Sequence, residues 1–392
     1  MNLNFEFDLF IRLTKRHLLV PLLATIMINN IQNSVLFMGA VGALFLMGGC
    51  KSIGPESVKE VHQKYNDAIA KTNDEQTLFN IVRLKYLENP CFMDITGIAE
   101  SRKFTTRVGP SGSRFGLVNN SGNYELGLVA YSEIFQNPTV TYSPLKGEDF
   151  TKRMLSPLPV AVVLGLIQAG WNVKRVFNLC VECINHLDNA STASGPTPVQ
   201  EPEYESFSEA IDLMDALYSQ KRLVIGLNPD GPKDLVLRFV GSDSQSQQLK
   251  SILGLDPNSF EFRFNSNFLD TRSTNLTVRT RSVMEVFFYL SHAVNVPQKD
   301  IDAGLVTITK GCNGKIFDWT QCLSGKWITI NCTESRERPK DAFVSIFYRG
   351  KWFYIADNDL NSKSTFMFLN YLFNLQSGNS MASVPTLTIS AN

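Results

Sequence analysis

Residues 180–186 read CVECINH, two cysteines at C-x-x-C spacing with a histidine three positions on. Such a trio can exchange a disulfide or give three ligands to a metal, provided a helix N-terminus or a nearby cation lowers the thiol pKa. Here the apolar series Val173, Val176, Phe177, Cys180, Cys183, Ile184 and Leu187 predicts a helix over 172–188 that starts about two turns before the first thiol. Both sulfurs then lie on the core stripe and no fourth ligand is nearby. Core filling with His186 at the rim is the reading adopted, and neither a metal nor a cofactor is expected. Asp357 and Asp359 could serve as the paired carboxylates of glycan cleavage. They also stand where a predicted strand gives way to a helix, where a cap needs such residues. The loop GPSGSRFGLVNNSG (109–122) lacks the Gly-Lys-Ser/Thr end of a phosphate cradle, and Ser113 takes the place of the last glycine of a G-x-S-x-G elbow. No H-E-x-x-H pattern surrounds His17, His62, His186 or His292. No catalytic residue is assigned.

Cys312, Cys322 and Cys332 recur at ten-residue spacing, and two of them could form a disulfide, leaving the third for Cys91 or free. With Cys50 set aside, six cysteines remain, an even number compatible with an oxidising compartment but too sparse for a stapled scaffold. Hydrophobic residues make up 44% of the chain, which excludes wholesale disorder. The charge balance of 37 against 37 shifts only to 34 basic against 35 acidic once the three basic and two acidic residues of 1–49 are set aside. The body therefore lacks the positive field that nucleic acid requires, and no nucleic-acid partner is expected.

The N-terminus carries its own chemistry. Lys15, Arg16 and His17 precede the apolar runs 18–28 and 35–49. The second run, VLFMGAVGALFLMGG, is 15 residues long and ends at Cys50. As a helix it rises about 22 Å, short of a hydrocarbon core of about 30 Å, and fits a signal-peptide h-region. A transmembrane anchor or hairpin built from 18–28 and 35–49 is the competing reading. Gly48 and Gly49 leave a thin backbone for a peptidase, and Cys50 offers a thiol for acylation. This segment resembles the lipobox of bacterial lipoproteins, although Met47 stands where that pattern favours leucine. The resemblance implies cleavage between Gly49 and Cys50, lipidation of Cys50, and, because Lys51 replaces the aspartate of inner-membrane retention, transfer to the outer membrane.

Helical spacing predicts helices over 56–71 and 74–87, with Thr72, Asn73 and Asp74 capping between them as an αα-hairpin. Arg83 and Lys85 on the second either tie it to the next element or face a partner. Strands follow over 92–108, 123–133 and 138–145, then helices over 147–154 and 158–169. Residues 189–204, with three prolines and no periodicity, read as a linker. Beyond it helices are expected over 205–220, 243–253, 282–294 and 359–376. Strands are expected over 222–227, 234–240, 260–265, 276–280, 305–309, 327–332, 342–350, 352–358 and 386–390. The fold class is α+β: a signal peptide (1–49), an N-terminal α+β domain (50–188) holding the helical hairpin and a β-meander, a linker (189–204), and a C-terminal mixed α+β domain with an antiparallel sheet (205–392).

The segments NIVRLKYLENPCFMDITGI (80–98), LIQAGWNVKRVFNLCVECIN (166–185), FFYLSHAVNVP (287–297) and FYRGKWFYIADNDLNSKSTFMFLNYLFNLQSG (347–378) together resemble a group of uncharacterised proteobacterial lipoproteins. The resemblance carries no activity. It implies a periplasm-facing, outer-membrane lipoprotein, anchored through its N-terminal lipid, with a structural or binding role among envelope protein partners. Exposed aromatics of the 347–356 hairpin would anchor an interface unless they pack in the protein's own core. The alternatives are a cell-wall enzyme using Asp357 and Asp359, and a subunit of an envelope-spanning secretion system.

Overall fold

The computed structural model describes residues 55–111, 127–196, 200–227, 235–267, 272–311, 313–323 and 325–377. The segment 1–49, Cys50, Cys312 and the expected strand 386–390 lie outside them. Backbone contacts divide the chain into two units, 1–68 and 69–392. No described helix is long and apolar enough to cross a membrane.

A single helix α1 (Pro55–Lys85) replaces the expected αα-hairpin. One of the would-be turn residues is engaged by a later helix: Asn370 donates to the Asp74 carboxylate (2.9 Å), and Thr77, a turn further on, donates to Asn370 Oδ1 (2.8 Å). Tertiary hydrogen bonds thus take the place of the local caps that polar side chains otherwise form. Leu78, Ile81 and Val82 are buried along the last turns. From the same turns two side-chain amides act as a strand edge. Gln76 exchanges hydrogen bonds with both backbone groups of Met93 (3.0 and 2.7 Å), and Asn80 does the same with Cys91 (2.8 Å each). The i, i+4 step of a helix here meets the i, i+2 step of a strand.

Strands β1 (Phe92–Ser111) and β2 (Gly127–Leu145) form a long antiparallel hairpin running from Phe92↔Leu145 to Ser111↔Gly127. The two shorter strands expected over 123–145 are one, and Pro138 continues it on an edge that needs no donor. Helices α2 (Glu148–Leu155), α3 (Val160–Gln168) and α4 (Val173–Cys180) follow. The helix expected over 172–188 stops at Cys180, and the chain continues as β3 (Val181–Ile184) and β4 (Leu187–Asp188). Beyond a 3₁₀ turn at Ser191–Ser194 come α5 (Glu205–Ser219), β5 (Leu223–Leu227), β6 (Leu235–Phe239), α6 (Ser244–Leu253), β7 (Glu261–Asn265) and β8 (Asn275–Thr280). One six-stranded sheet has the order β4-β3-β8-β7-β6-β5, antiparallel except for the pair β7–β8.

That sheet joins strands from both sides of residues 189–204, and 69–392 is one compact unit. The division into domains at 189–204 is therefore corrected. Residues 189–194 are tied down by polar contacts, with only the small side chains of Ala190 and Ala193 in the core, so they show no apolar periodicity. Arg281 is 0% exposed. Its guanidinium donates to the carbonyls of Asn178 (2.8 Å), Val181 (3.1 Å) and Asn189 and to the Ser194 hydroxyl (2.9 Å). Its backbone amide donates to the Cys180 carbonyl (2.7 Å). The cation thus sits at the C-terminus of α4, where unpaired carbonyls and the helix dipole favour positive charge. The Tyr289 ring covers its other side, 4.2 Å from the guanidinium carbon. Asn189 donates to the Asn178 and Val181 carbonyls (2.9 and 2.6 Å) and completes the knot.

The rest of the unit is α7 (Val283–Ser291), α8 (Gln298–Asp302), β9 (Asn331–Thr333), β10 (Ala342–Tyr348), β11 (Lys351–Ala356) and α9 (Leu360–Ser377). The strand expected over 305–309 is absent among the described residues, where an isolated bridge joins Lys310 to Ile316. Strands β10 and β11 form the expected hairpin. Arg349 (φ 49°) and Gly350 (φ 78°) make the two positive-φ positions that a twisted two-residue turn demands. Phe347 at its tip is 56% exposed, whereas Phe353 is buried.

Replacing Arg281 with Met strands several buried carbonyls and frees residues 189–194 from the core. The expected loss is about 3–5 kcal/mol, read from urea unfolding, with new protease cleavage between 189 and 204.

Candidate functional site

Helix α1 places Lys85 on the same face as Leu78, Ile81 and Val82, one heptad beyond Leu78. The side chain is consequently 7% exposed. It reaches a cavity of about 210 Å³ that is also lined by His292 after α7, by Ile301 of α8, and by residues of 306–309 and 316–320. A β-like turn shapes the far wall: the Phe317 amide donates to the Thr309 carbonyl (2.8 Å), and the Lys310–Ile316 bridge closes it.

Two polar side chains of the lining lack a hydrogen-bond partner among the described residues, namely Nε2 of His292 and Oγ1 of Thr309. They are 6% and 2% exposed. Buried polar atoms rarely go unpaired, so two in one cavity mark it out. The His292 ring stacks on Trp319 with centroids 4.4 Å apart and planes 11° apart, which fixes its orientation. Burial, then the Lys85 charge, drives the imidazole pKa down to about 3, while a hydrogen bond to the Ala193 backbone acts the other way. That bond falls to Nδ1, since Nε2 is the unpartnered nitrogen, so Nε2 keeps a lone pair for a donor. An imidazole this acidic is a poor general base at neutral pH, and its use here is in binding.

The other buried lysines show what is unusual about Lys85. Lys351 pairs with Asp300, which also accepts from the Tyr86 hydroxyl (2.6 Å). Burial pushes the Asp300 carboxyl up, but the bonds from Lys351 and Tyr86 outweigh it and hold its pKa below the ordinary value. Lys250 donates to the Pro257 carbonyl (3.0 Å) and lies over the rings of Phe239 and Phe260. Lys85 has no such compensation: burial alone lowers its pKa to about 8, and no carboxylate opposes the shift. At neutral pH it remains an ammonium facing the cavity.

The residues singled out by spacing are dispersed. Cys180 ends α4 and Cys183 lies on β3, so they do not share a helix stripe. Burial raises both thiol pKa values, that of Cys183 to about 11, with Asp188 contributing, which removes thiolate character at neutral pH. Cys322 and Cys332 are free thiols, as is the exposed Cys91, so a bridge among these is not formed. Cys322 follows a 3₁₀ turn and Cys332 lies on β9, separate elements that the even spacing concealed. No group of His, Cys, Asp and Glu among the described residues could hold a metal ion. Asp359 caps α9 by accepting from the Ser362 amide (3.0 Å) and hydroxyl, and Asp357 pairs with Lys363 (2.6 Å). Both carboxylates are thus committed to structure. Cys50 and Gly49 lie outside the described residues. Sequence reasoning placed His292 in a helix without a role, and gave Lys85 only a general tie. The signal that marks Lys85 is a cation at an apolar heptad position.

No protein-family model, curated protein or solved structure matches this chain.

Because the Lys85 pKa is lower folded than unfolded, its burial opposes folding fully below about pH 8, and stability recovers as pH rises toward the unfolded value. Lys85→Met should therefore raise stability at pH 7 by on the order of 2–3 kcal/mol, measured by urea unfolding. The His292 shift has the opposite consequence in acid. The unfolded ring takes up a proton that the folded ring refuses, so stability falls as pH drops from about 6.5 toward about 3. His292→Phe should flatten the slope of unfolding free energy against pH in that range by about one proton, roughly 1.4 kcal/mol per pH unit.

Proposed function

We propose that this chain is an outer-membrane-anchored periplasmic lipoprotein whose folded body has a structural or binding role in a cell-envelope assembly. The observation that carries the proposal is the order of basic residues, apolar run, two glycines and cysteine over 15–50, followed by Lys51. Acyl chains contribute about 0.8 kcal/mol per buried CH₂, so the two or three of a mature lipoprotein hold it firmly at a bilayer. Tethering then concentrates the body beside membrane partners, where weak contacts suffice. A binding role over glycan cleavage is supported by the engagement of Asp357 and Asp359 in the ion pair and cap at the start of α9. It is supported further by the cavity beneath Lys85, which offers recognition groups and no activated nucleophile–base pair.

Metabolic labelling with a tagged fatty acid should mark the wild-type protein and leave Cys50→Ser unlabelled and released from membranes. Equal labelling of the two would remove the anchor. Affinity capture from detergent-solubilised outer membranes should recover envelope proteins in fixed ratio, and recovery of the chain alone would count against an assembly.

A further inference from the structure

The cavity lined by Lys85 holds unpaired groups of unusually specific character. We propose that this cavity is a binding site for a short-chain hydroxycarboxylate, with the carboxylate on the Lys85 ammonium and the Thr309 hydroxyl, and the ligand hydroxyl donating to Nε2 of His292. This goes beyond the envelope role above and does not depend on lipidation.

Charge selects the anion. Among the described residues Lys85 is the only cation lining the cavity, and His292 stays neutral. Asp318 stands exposed on the same lining and is held below the ordinary carboxylate pKa by the side chain and amide of Thr320. One positive charge, with an exposed carboxylate elsewhere on the same lining, suits a monoanion, whereas a phosphate dianion would need more donors and more positive charge. A carboxylate on Lys85 also supplies the counter-charge that this buried ammonium lacks within the protein.

Hydrogen-bond character selects the second group. The Nε2 lone pair requires a donor from the ligand. The Lys85 charge already acts on this ring, so a second ammonium beside it would be repelled, and a neutral hydroxyl fits better than an amine. Thr309 Oγ1 can donate to the carboxylate. Between these polar points the walls are apolar, from Val294, Val296, Ile301, Val306 and Phe317. They take a short carbon body. The volume of about 210 Å³ is below the range of about 300–1,000 Å³ for drug-sized ligands, which sets the size at a few carbons. The Trp319 stack holds the imidazole in place before the ligand arrives, so little ordering is needed on binding.

The test is titration calorimetry at pH 7 on the full chain in detergent, with 3-hydroxybutyrate as the probe, and butyrate and 3-hydroxybutyramide as comparators. Saturable binding with one ligand per chain is expected, in the micromolar to low-millimolar range. Butyrate, lacking the hydroxyl, should bind several-fold more weakly, and the uncharged amide weaker still. Lys85→Met should weaken 3-hydroxybutyrate by about tenfold or more, the cost of losing one charge-assisted contact. Since that variant is expected to fold more stably than the wild type, weaker binding cannot be ascribed to unfolding. Thr309→Val, nearly isosteric, should weaken binding about tenfold with a melting temperature no lower than that of the wild type. Absence of binding by the wild type up to about 10 mM, unchanged affinity in Lys85→Met, or equal affinity for acid and amide would each overturn the proposal.

Discussion

The arginine that follows β8, Arg281, is the constraint on which the larger unit depends. Its bonds reach back 87 to 103 residues to the end of α4, β3 and the 3₁₀ turn. A guanidinium without a carboxylate in contact is costly to bury, and here the cost is offset by carbonyl dipoles converging from a helix C-terminus. Those same carbonyls would be orphans without it. Cation and acceptors therefore require each other, and the chain on both sides of residues 189–204 closes into one core.

The same logic separates the buried lysines. Where an ammonium is matched by Asp300, or by a carbonyl and two aromatic faces, it is part of the scaffold. At Lys85 the match is missing, and the neighbouring His292 and Thr309 are unmatched as well. A fold that satisfies Arg281 five times over leaves these three groups open on one lining, while the other buried side-chain atoms without a partner among the described residues, on Arg83, Tyr289 and Trp352, lie outside it. Functional sites are where such local consistency is expected to fail.

Much of the architecture was legible. Helices α2, α3, α5, α6, α7 and α9 and the hairpin of β10 and β11 follow from apolar periodicity, caps and the Arg349-Gly350 turn. The α+β class with antiparallel sheets is borne out. The misreadings share a cause, which is a long-range polar contact replacing a local rule. Asp74 looked like a capping residue with Thr72 and Asn73, but it serves Asn370, as does Thr77. Residues 189–194 looked like a linker because their order comes from Arg281. The stripe through Cys180 and Cys183 ran on as a helix in sequence, whereas the edge of β8 drew residues 181–184 into a sheet. The cavity was hidden for a similar reason: Lys85 is more than two hundred residues from His292 and Thr309, and only the fold brings them to one lining.

The amide ladder at the end of α1 has a geometric corollary for the long hairpin. Gln76 and Asn80 grip Met93 and Cys91 and leave Phe92 between them pointing into the ring cluster of Phe150, Phe287 and Phe373. A slip of one residue would send Phe92 to the opposite face. The rungs from Phe92↔Leu145 to Ile95↔Tyr142, up to the register shift before Gly97, are thus indexed at the root by the pitch of a helix, as teeth on a rack are set by the first one engaged.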